Sequence, residues 1–279
     1  MHDKIITLRN SIIQHGNYND RIYLMKLSQA DFPEIITELD SLASQKGYTK
    51  VFAKIPEYAK NTFVEKNYII EATIPKFYNG NQTAYFMGKY FSEIRKQSQN
   101  DEVINTVLMT AKSKLKSDYP VPTLSKDFTY RECQVNDVFE ITELYKKVFE
   151  TYPFPIQDPD YIAETMKNSV TYFGVWHKQT LVALASAEMD VQTSSVEMTD
   201  FATHPDFRGK GLSSFLLHTM ELYVQRMEFK TAYTIARSIS YGMNVTFAKM
   251  GYSYSGTLIN NTNISGSLES MNIWYKHME

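Results

Sequence analysis

Phe201-Ala202-Thr203-His204-Pro205-Asp206-Phe207-Arg208-Gly209-Lys210-Gly211-Leu212-Ser213 is the stretch on which the reading of this chain turns. Residues 196–203 read as a strand, Gly209 and Gly211 as a turn, and residues 212–228 as an amphipathic helix. A helix that opens on glycines leaves its first N–H groups unsatisfied, and these point outward with the positive end of the helix dipole. With no Cβ in the way, such a backbone can approach a diphosphate closely. Arg208 and Lys210 add cationic donors for phosphate oxygens. The glycine spacing is neither that of a Walker loop nor that of a dinucleotide-binding loop.

Working outward, the pattern after this helix is a strand over 231–236, a helix over 241–250, a strand over 252–259 and a last strand over 271–276. Before it come a strand over 128–131 and a helix begun by Asp137. An aromatic loop follows, Tyr152-Pro153-Phe154-Pro155-Ile156, and then strands over 171–177 and 181–191. The first half reads as a strand over 21–25, a helix opened by a capping box of Asp31 and Glu34, and a strand over 50–55. A helix over 56–67 and strands over 68–74 and 83–90 complete it. Lys116-Ser117-Asp118-Tyr119-Pro120-Val121-Pro122-Thr123 is the linker, because two prolines disfavour both helix and central strand. The division expected is an N-terminal α/β domain over 1–122 and a catalytic domain over 123–279.

Phe63-Val64-Glu65-Lys66-Asn67-Tyr68 matches Phe247-Ala248-Lys249-Met250-Gly251-Tyr252 at an offset of 184, so the halves read as distant repeats. At that offset the glycine loop falls on Leu24-Met25-Lys26-Leu27, which has no glycine. The first half is therefore expected to be a degenerate copy.

Composition narrows the classes. Hydrophobic residues make up 43% and charged residues 22% of 279 positions, a globular balance. A net charge of −2 gives no broad basic face for nucleic acid. Six histidines and one cysteine are poor material for a metal cluster, so no metal is expected. Cys133 has no partner for an intrachain disulfide, which suits a reducing cytoplasm. Neither an apolar leader nor a membrane-spanning run is read.

The order of strand, Arg-Gly-Lys-Gly loop, long helix, strand, helix and Phe247-to-Tyr252 segment resembles the GCN5-related N-acetyltransferase (GNAT) superfamily over about residues 128–279. The resemblance implies an α/β (α+β) fold with a mixed central sheet flanked by helices. It implies acetyl-CoA as co-substrate, with the pyrophosphate on Arg208, Gly209, Lys210, Gly211, Leu212 and Ser213. Phe201, Ala202 and Thr203 would then meet the pantetheine arm. Ser213 stands where Gly or Ala is usual. Asn244 and Lys249 on the penultimate helix are further cofactor candidates.

A lysine-like amine has a pKa near 10.4, so roughly one molecule in 2,500 is neutral at pH 7. Transfer therefore needs a proton acceptor. Glu197, four residues before Phe201, is placed ahead of Asp200 for this role. Strand alternation puts the two on opposite faces unless a bulge intervenes. The family's usual tyrosine acid falls on Phe247, leaving Tyr241 or Tyr252, or no side chain at all, to protonate the leaving thiolate.

Glu197-Met198-Thr199-Asp200-Phe201-Ala202-Thr203 and the tail from Asn260 to Lys276, with the extra N-terminal half, are similar to the β-lysine N6-acetyltransferase family. That resemblance implies acetylation of the ε-amine of β-lysine, a step in compatible-solute synthesis. The acceptor pocket is then expected from Tyr152, Phe154 and Arg237, with Arg237 on the carboxylate, and from Asn260, Asn263 and Glu269 in the loop before the last strand, which often covers the acceptor in this superfamily. A polyamine or aminoglycoside acceptor, or a non-catalytic acyl-CoA-binding regulator, are the alternatives. Oligomeric state is not legible.

Overall fold

The computed structural model describes residues 2–115 and 119–278, so Lys116, Ser117 and Asp118 of the linker lie outside the described residues. Two mixed sheets carry the chain. The first contains β1 (Lys4–Leu8), β2 (Ser11–Gly16), β3 (Arg21–Lys26), β4 (Lys50–Pro56), β5 (Ile69–Tyr78) and β6 (Gln82–Tyr90), in the order β1-β2-β3-β4-β6-β5. Helix α1 (Ile35–Lys46) joins β3 to β4, and α2 (Lys60–Glu65) precedes β5; α3 (Glu93–Lys96) and α4 (Asp101–Lys112) follow the sheet.

The second sheet contains β7 (Phe128–Glu132), β8 (Val170–His177), β9 (Thr180–Asp190), β10 (Ser195–Thr203), β11 (Thr231–Arg237), β12 (Ser253–Ile264) and β13 (Ser267–His277). Its order is β12-β13-β11-β10-β9-β8-β7. Helices α5 (Val138–Val148) and α6 (Pro159–Asn168) lie between β7 and β8. Helix α7 (Leu212–Arg226) joins β10 to β11, and α8 (Tyr241–Lys249) precedes β12. Among the described residues each sheet has one parallel pair, β3–β4 and β10–β11. The mixed sheet flanked by helices is thus the architecture of this chain.

Local physics places these elements. In α7, Leu212, Leu216, Leu217, Met220 and Val224 recur on one face and are buried against β8, β9 and β10. Gly47 closes α1 in the left-handed conformation at φ 71°, where a side chain would be strained. Asp31 forms no capping box. Its carboxylate accepts from Asn10 N at 2.9 Å and Ser11 Oγ at 2.6 Å, and α1 starts four residues later. The β1–β2 hairpin and α6 are not read from the sequence. Strand β1 is mostly exposed, and α6 buries only Ile162, so neither carries a strong apolar period.

Eight residues join β3 to α1 and eight join β10 to α7. The Arg208–Gly211 loop therefore corresponds to Asp31-Phe32-Pro33-Glu34, and the constant offset of 184 fails before the strand over 50–56. Helix α4 also departs from the expected boundary near 122. Its Ile104, Leu108 and Ala111 sit in the core of the second sheet, packed on α8.

The two sheets meet through an apolar layer: Tyr23, Phe52, Phe77 and Phe86 from the first face Tyr233, Leu258, Met271 and Ile273 from the second. Strand β5 runs beside β12, where Thr73 N donates to Ser255 Oγ at 2.8 Å. Gly256 permits this approach, because a Cβ there would come within 2.1 Å of the Glu71 carbonyl oxygen. Between Leu258 and Thr262 β12 breaks its pairing with β13, and Asn260 takes φ 42°. The freed groups are satisfied from the first half. Ile259 N donates to the Glu71 carboxylate at 2.8 Å, and Lys50 Nζ donates to Ile259 O at 2.8 Å. Arg95 Nε donates to Asn260 O at 2.6 Å.

Candidate active site

Strands β10 and β11 pair in parallel only from Ser195–Thr231 to Glu197–Tyr233. Beyond that point β10 runs on to Thr203 and β11 to Arg237, so the two part and leave a cleft. A bulge between Thr199 and Ala202 in the β9–β10 pairing, with Asp200 at φ 54°, turns β10 away. It also brings Glu197 and Asp200 to the same side, against simple alternation. The cleft opens into a cavity of about 1170 Å³ lined by both halves of the chain.

One end of the cavity is the glycine loop. Gly209 and Gly211 hold φ 78° and 76°, and Gly211 begins α7 with no side-chain cap. The first N–H groups of a 15-residue helix thus face the opening, and a Cβ at either glycine would meet no protein atom within 4 Å. That open, donor-rich space fits a pyrophosphate. Phe201, Thr203, Arg208, Gly209, Gly211, Leu212 and Ser213 line the cavity.

Other expected cofactor residues are elsewhere. Ala202 is buried in the core below β10. Lys210 lines a separate depression near Asp127. Asn244 is fully buried and saturated: it donates to Arg237 O and Ser240 O and accepts from Asn272 and Trp274. It ties α8 to the sheet and faces no ligand. Lys249 lies over the Tyr119 ring, outside the cavity.

At the point where the strands part stands a group of acids. Glu197 accepts from the Tyr233 hydroxyl, and Tyr233 in turn lies 3.3 Å from Lys54 Nζ, on β4 of the first half. Glu188 is the cross-strand partner of Glu197. Burial, then the Glu188 charge, pushes Glu197 up to about 8. Glu188 is raised for the same first reason: it opens onto the cavity, but the cavity itself is sunk within the protein. Asp200 is raised by burial too, yet both its oxygens are engaged, by Ser186 Oγ at 2.6 Å and the Tyr152 hydroxyl at 2.5 Å. Of the two carboxylates expected from the sequence, Glu197 is therefore the freer to take a proton, and Asp200 holds Tyr152 in place.

Tyr241 is 46% exposed and does not line the cavity, and Tyr252 is buried beside Glu221, so neither expected acid is at hand. Phe247 packs edge-on against Phe201 at 5.6 Å between centroids, which leaves this wall without a phenol.

Among the acceptor candidates, Tyr152, Phe154 and Arg237 line the cavity, whereas Asn260, Asn263 and Glu269 do not. The asparagines are not in a covering loop. They belong to β12, where Asn260 Nδ2 donates to Arg95 O and Asn263 Nδ2 to Tyr18 O, binding the halves together. Glu269 takes both arms of Arg237, at 2.8 and 2.6 Å. Arg237 is thus already paired with a carboxylate and is not waiting for one. Lys54, Glu188, Tyr233 and Arg21 were not foreseen. Only the fold brings β4 of one half over β10 of the other, and no local motif announces it.

A glycine-opened helix beside two parting parallel strands, above a half-buried carboxylate, defines an acyl-CoA-dependent N-acyltransferase site. The family model for Acetyltransferase (GNAT) family matches residues 138–252. The β-lysine N(6)-acetyltransferase of Methanococcus maripaludis is 44% identical over 277 residues, covering 99% of this chain and 100% of that one. The N-acetyltransferase YodP of Bacillus subtilis is 31% identical, covering 96% of each chain. The β-lysine N(6)-acetyltransferase of Methanosarcina mazei is 31% identical, covering 87% of this chain and 96% of that one. This chain belongs to the β-lysine N(6)-acetyltransferase family of GNAT enzymes and is an N-acetyltransferase that uses acetyl-CoA as co-substrate. Among the described residues no helix is long and apolar enough to cross a membrane, and no group of three or more His, Cys, Asp or Glu is placed to hold a metal ion.

Proposed function

We propose that the enzyme transfers the acetyl group of acetyl-CoA to the N6 amine of β-lysine. The observation that carries this reading is the cavity at the parted strands, which joins a diphosphate-binding helix start to a pocket rich in acids and closed by the first half. The relatives' acceptor supplies the name. The ammonium enters among Glu188, Glu197 and Asp200. Glu197 accepts the proton from the attacking amine, directly or through one water. The C–N bond forms, the C–S bond breaks and the nitrogen gives up its second proton, so that of the two protons lost by the ammonium one ends on the CoA thiolate and the other in solvent. The product at N6 has lost one positive charge, so β-lysine becomes a net-neutral zwitterion, the charge state suited to a solute held at high concentration. We place this chemistry in the cytoplasm, where acetyl-CoA is supplied.

The test is kcat/KM for β-lysine, α-lysine, a simple diamine and an aminoglycoside, followed by release of CoA thiol. β-Lysine should be the best acceptor, because moving the second ammonium by one carbon leaves buried polar partners unmatched. A polyamine or aminoglycoside ranking first would reject the acceptor while leaving the transferase intact.

The first half fits a degenerate copy that binds no acetyl-CoA. Its corresponding loop, Asp31-Phe32-Pro33-Glu34, offers two carboxylates and no glycine where the other loop offers cations and open backbone. Calorimetry should return one acetyl-CoA per chain. A second site would refute this part.

A further inference from the structure

We propose that Arg21, on β3 of the first half, binds the carboxylate of the acceptor. The proposal rests on the reading of the acceptor as an amino acid and adds to it the group that selects that class.

Arg21 lines the active-site cavity and is 4% exposed. Its Nη1 donates to Asn261 O and, at 3.2 Å, to Thr262 Oγ1. The other edge of the guanidinium is different. Nε is buried without a partner, and Nη2 has only a 3.5 Å contact with Gln14 Oε1. Among the described residues no carboxylate lies within ion-pair distance of Arg21. Arg237 provides an internal comparison, because its Nε and Nη2 edge is filled by both oxygens of Glu269. The same two-pronged edge is left unfilled at Arg21, and a carboxylate is the group that fits it.

A buried charge without a counter-charge is unfavourable, and the rings of Tyr23 and Phe52, 5.4 and 5.7 Å from the guanidinium carbon, offset only part of that. Arg21 nevertheless remains a cation at neutral pH, although burial lowers it to about 10. Beside it, Asn261 Oδ1 is likewise buried with no donor, an acceptor suited to an ammonium next to the carboxylate.

Arg21 stands at a distance along the sheet from the acids of the site. Lys54 follows Ala53, the partner of Leu24, so Arg21 and Lys54 stand about four residues apart along the sheet. That is roughly 13 Å between backbones. Lys54 marks the reactive end, because its Nζ contacts Tyr233, which bonds Glu197. The first half thus supplies the anchor and the second half the chemistry.

Arg21→Gln and wild type are compared on β-lysine and on 1,5-diaminopentane, which has the amines without the carboxylate, with melting temperature as the check on folding. The expected result is a loss on the order of 10²–10⁴-fold in kcat/KM for β-lysine, carried mainly by KM, and little change for the diamine. Arg21→Lys keeps the charge but loses the fork, and should fall between the two; it also serves if Arg21→Gln fails to fold. Equal losses on both acceptors would make Arg21 a mere tie between the halves and overturn the proposal. So would a variant that retains the wild-type preference for β-lysine. A wild type inactive on β-lysine would overturn the acceptor reading itself, and the assignment with it.

Discussion

Glu197→Gln should lower kcat by roughly 10²–10⁴-fold, the span attributed to a general base, with acetyl-CoA affinity little changed. The same substitution should raise the melting temperature at pH 8 to 9. The two effects share one cause. Burial and the neighbouring Glu188 hold the Glu197 proton up to about 8, against a usual value of 4.5. Between those values the folded protein keeps a proton that the unfolded chain releases. Stability from this site is therefore fully present below pH 4.5 and falls as pH rises toward 8. Glutamine does not titrate, so its advantage should vanish near pH 4 and be largest above 8. For catalysis the sign is opposite. Wild-type kcat/KM should climb through pH 8 as the carboxylate forms, and the variant should lose that inflection while keeping the one that belongs to the amine. An unchanged pH profile in the variant would move the role to Asp200 or to water. A lowered melting temperature at pH 9 would mean that Glu197 is held by favourable contacts instead of being forced into the site.

Gly211→Val should abolish acetyl-CoA binding as read by calorimetry. Gly211 takes φ 76° at the N-terminus of α7, a conformation in which a β-branched residue is strained by about 1–3 kcal/mol. The added atoms meet no protein atom within 4 Å, so the core is untouched and the fold should survive. They instead fill the space above the first N–H groups, where a diphosphate must come within hydrogen-bond distance. Circular dichroism separates the outcomes: a folded variant with wild-type affinity would displace the pyrophosphate from this loop.

The sequence was most informative where function is local. The glycine loop, the parting strand and its two acids are one contiguous segment, residues 197–213, so chain order alone brings them together. The acceptor side is built differently. Asn260, Asn263 and Glu269 read as a polar loop, because asparagine runs favour turns. In the fold their partners come from residues more than 160 positions away, or from Arg237 across a strand pair. Arg21, Lys54 and Tyr233 look like ordinary strand residues, and only the apposition of two sheets gives them a common cavity. Asn244 differs from its expected role for a related reason: its side chain is spent as the bolt between α8 and β13.

The break in β12 gives the two halves a shared fate. Ile259, Asn260 and Asn261 have left their own sheet for partners around Glu71, Lys50, Arg95 and Arg21. Neither half, cut away, could satisfy these groups without rebuilding a strand or flooding the seam with water. Thermal unfolding should accordingly be a single event reported alike by probes placed in either half. A half that has no catalytic loop of its own is thereby shielded from loss, because deleting it would unravel the edge of the half that works.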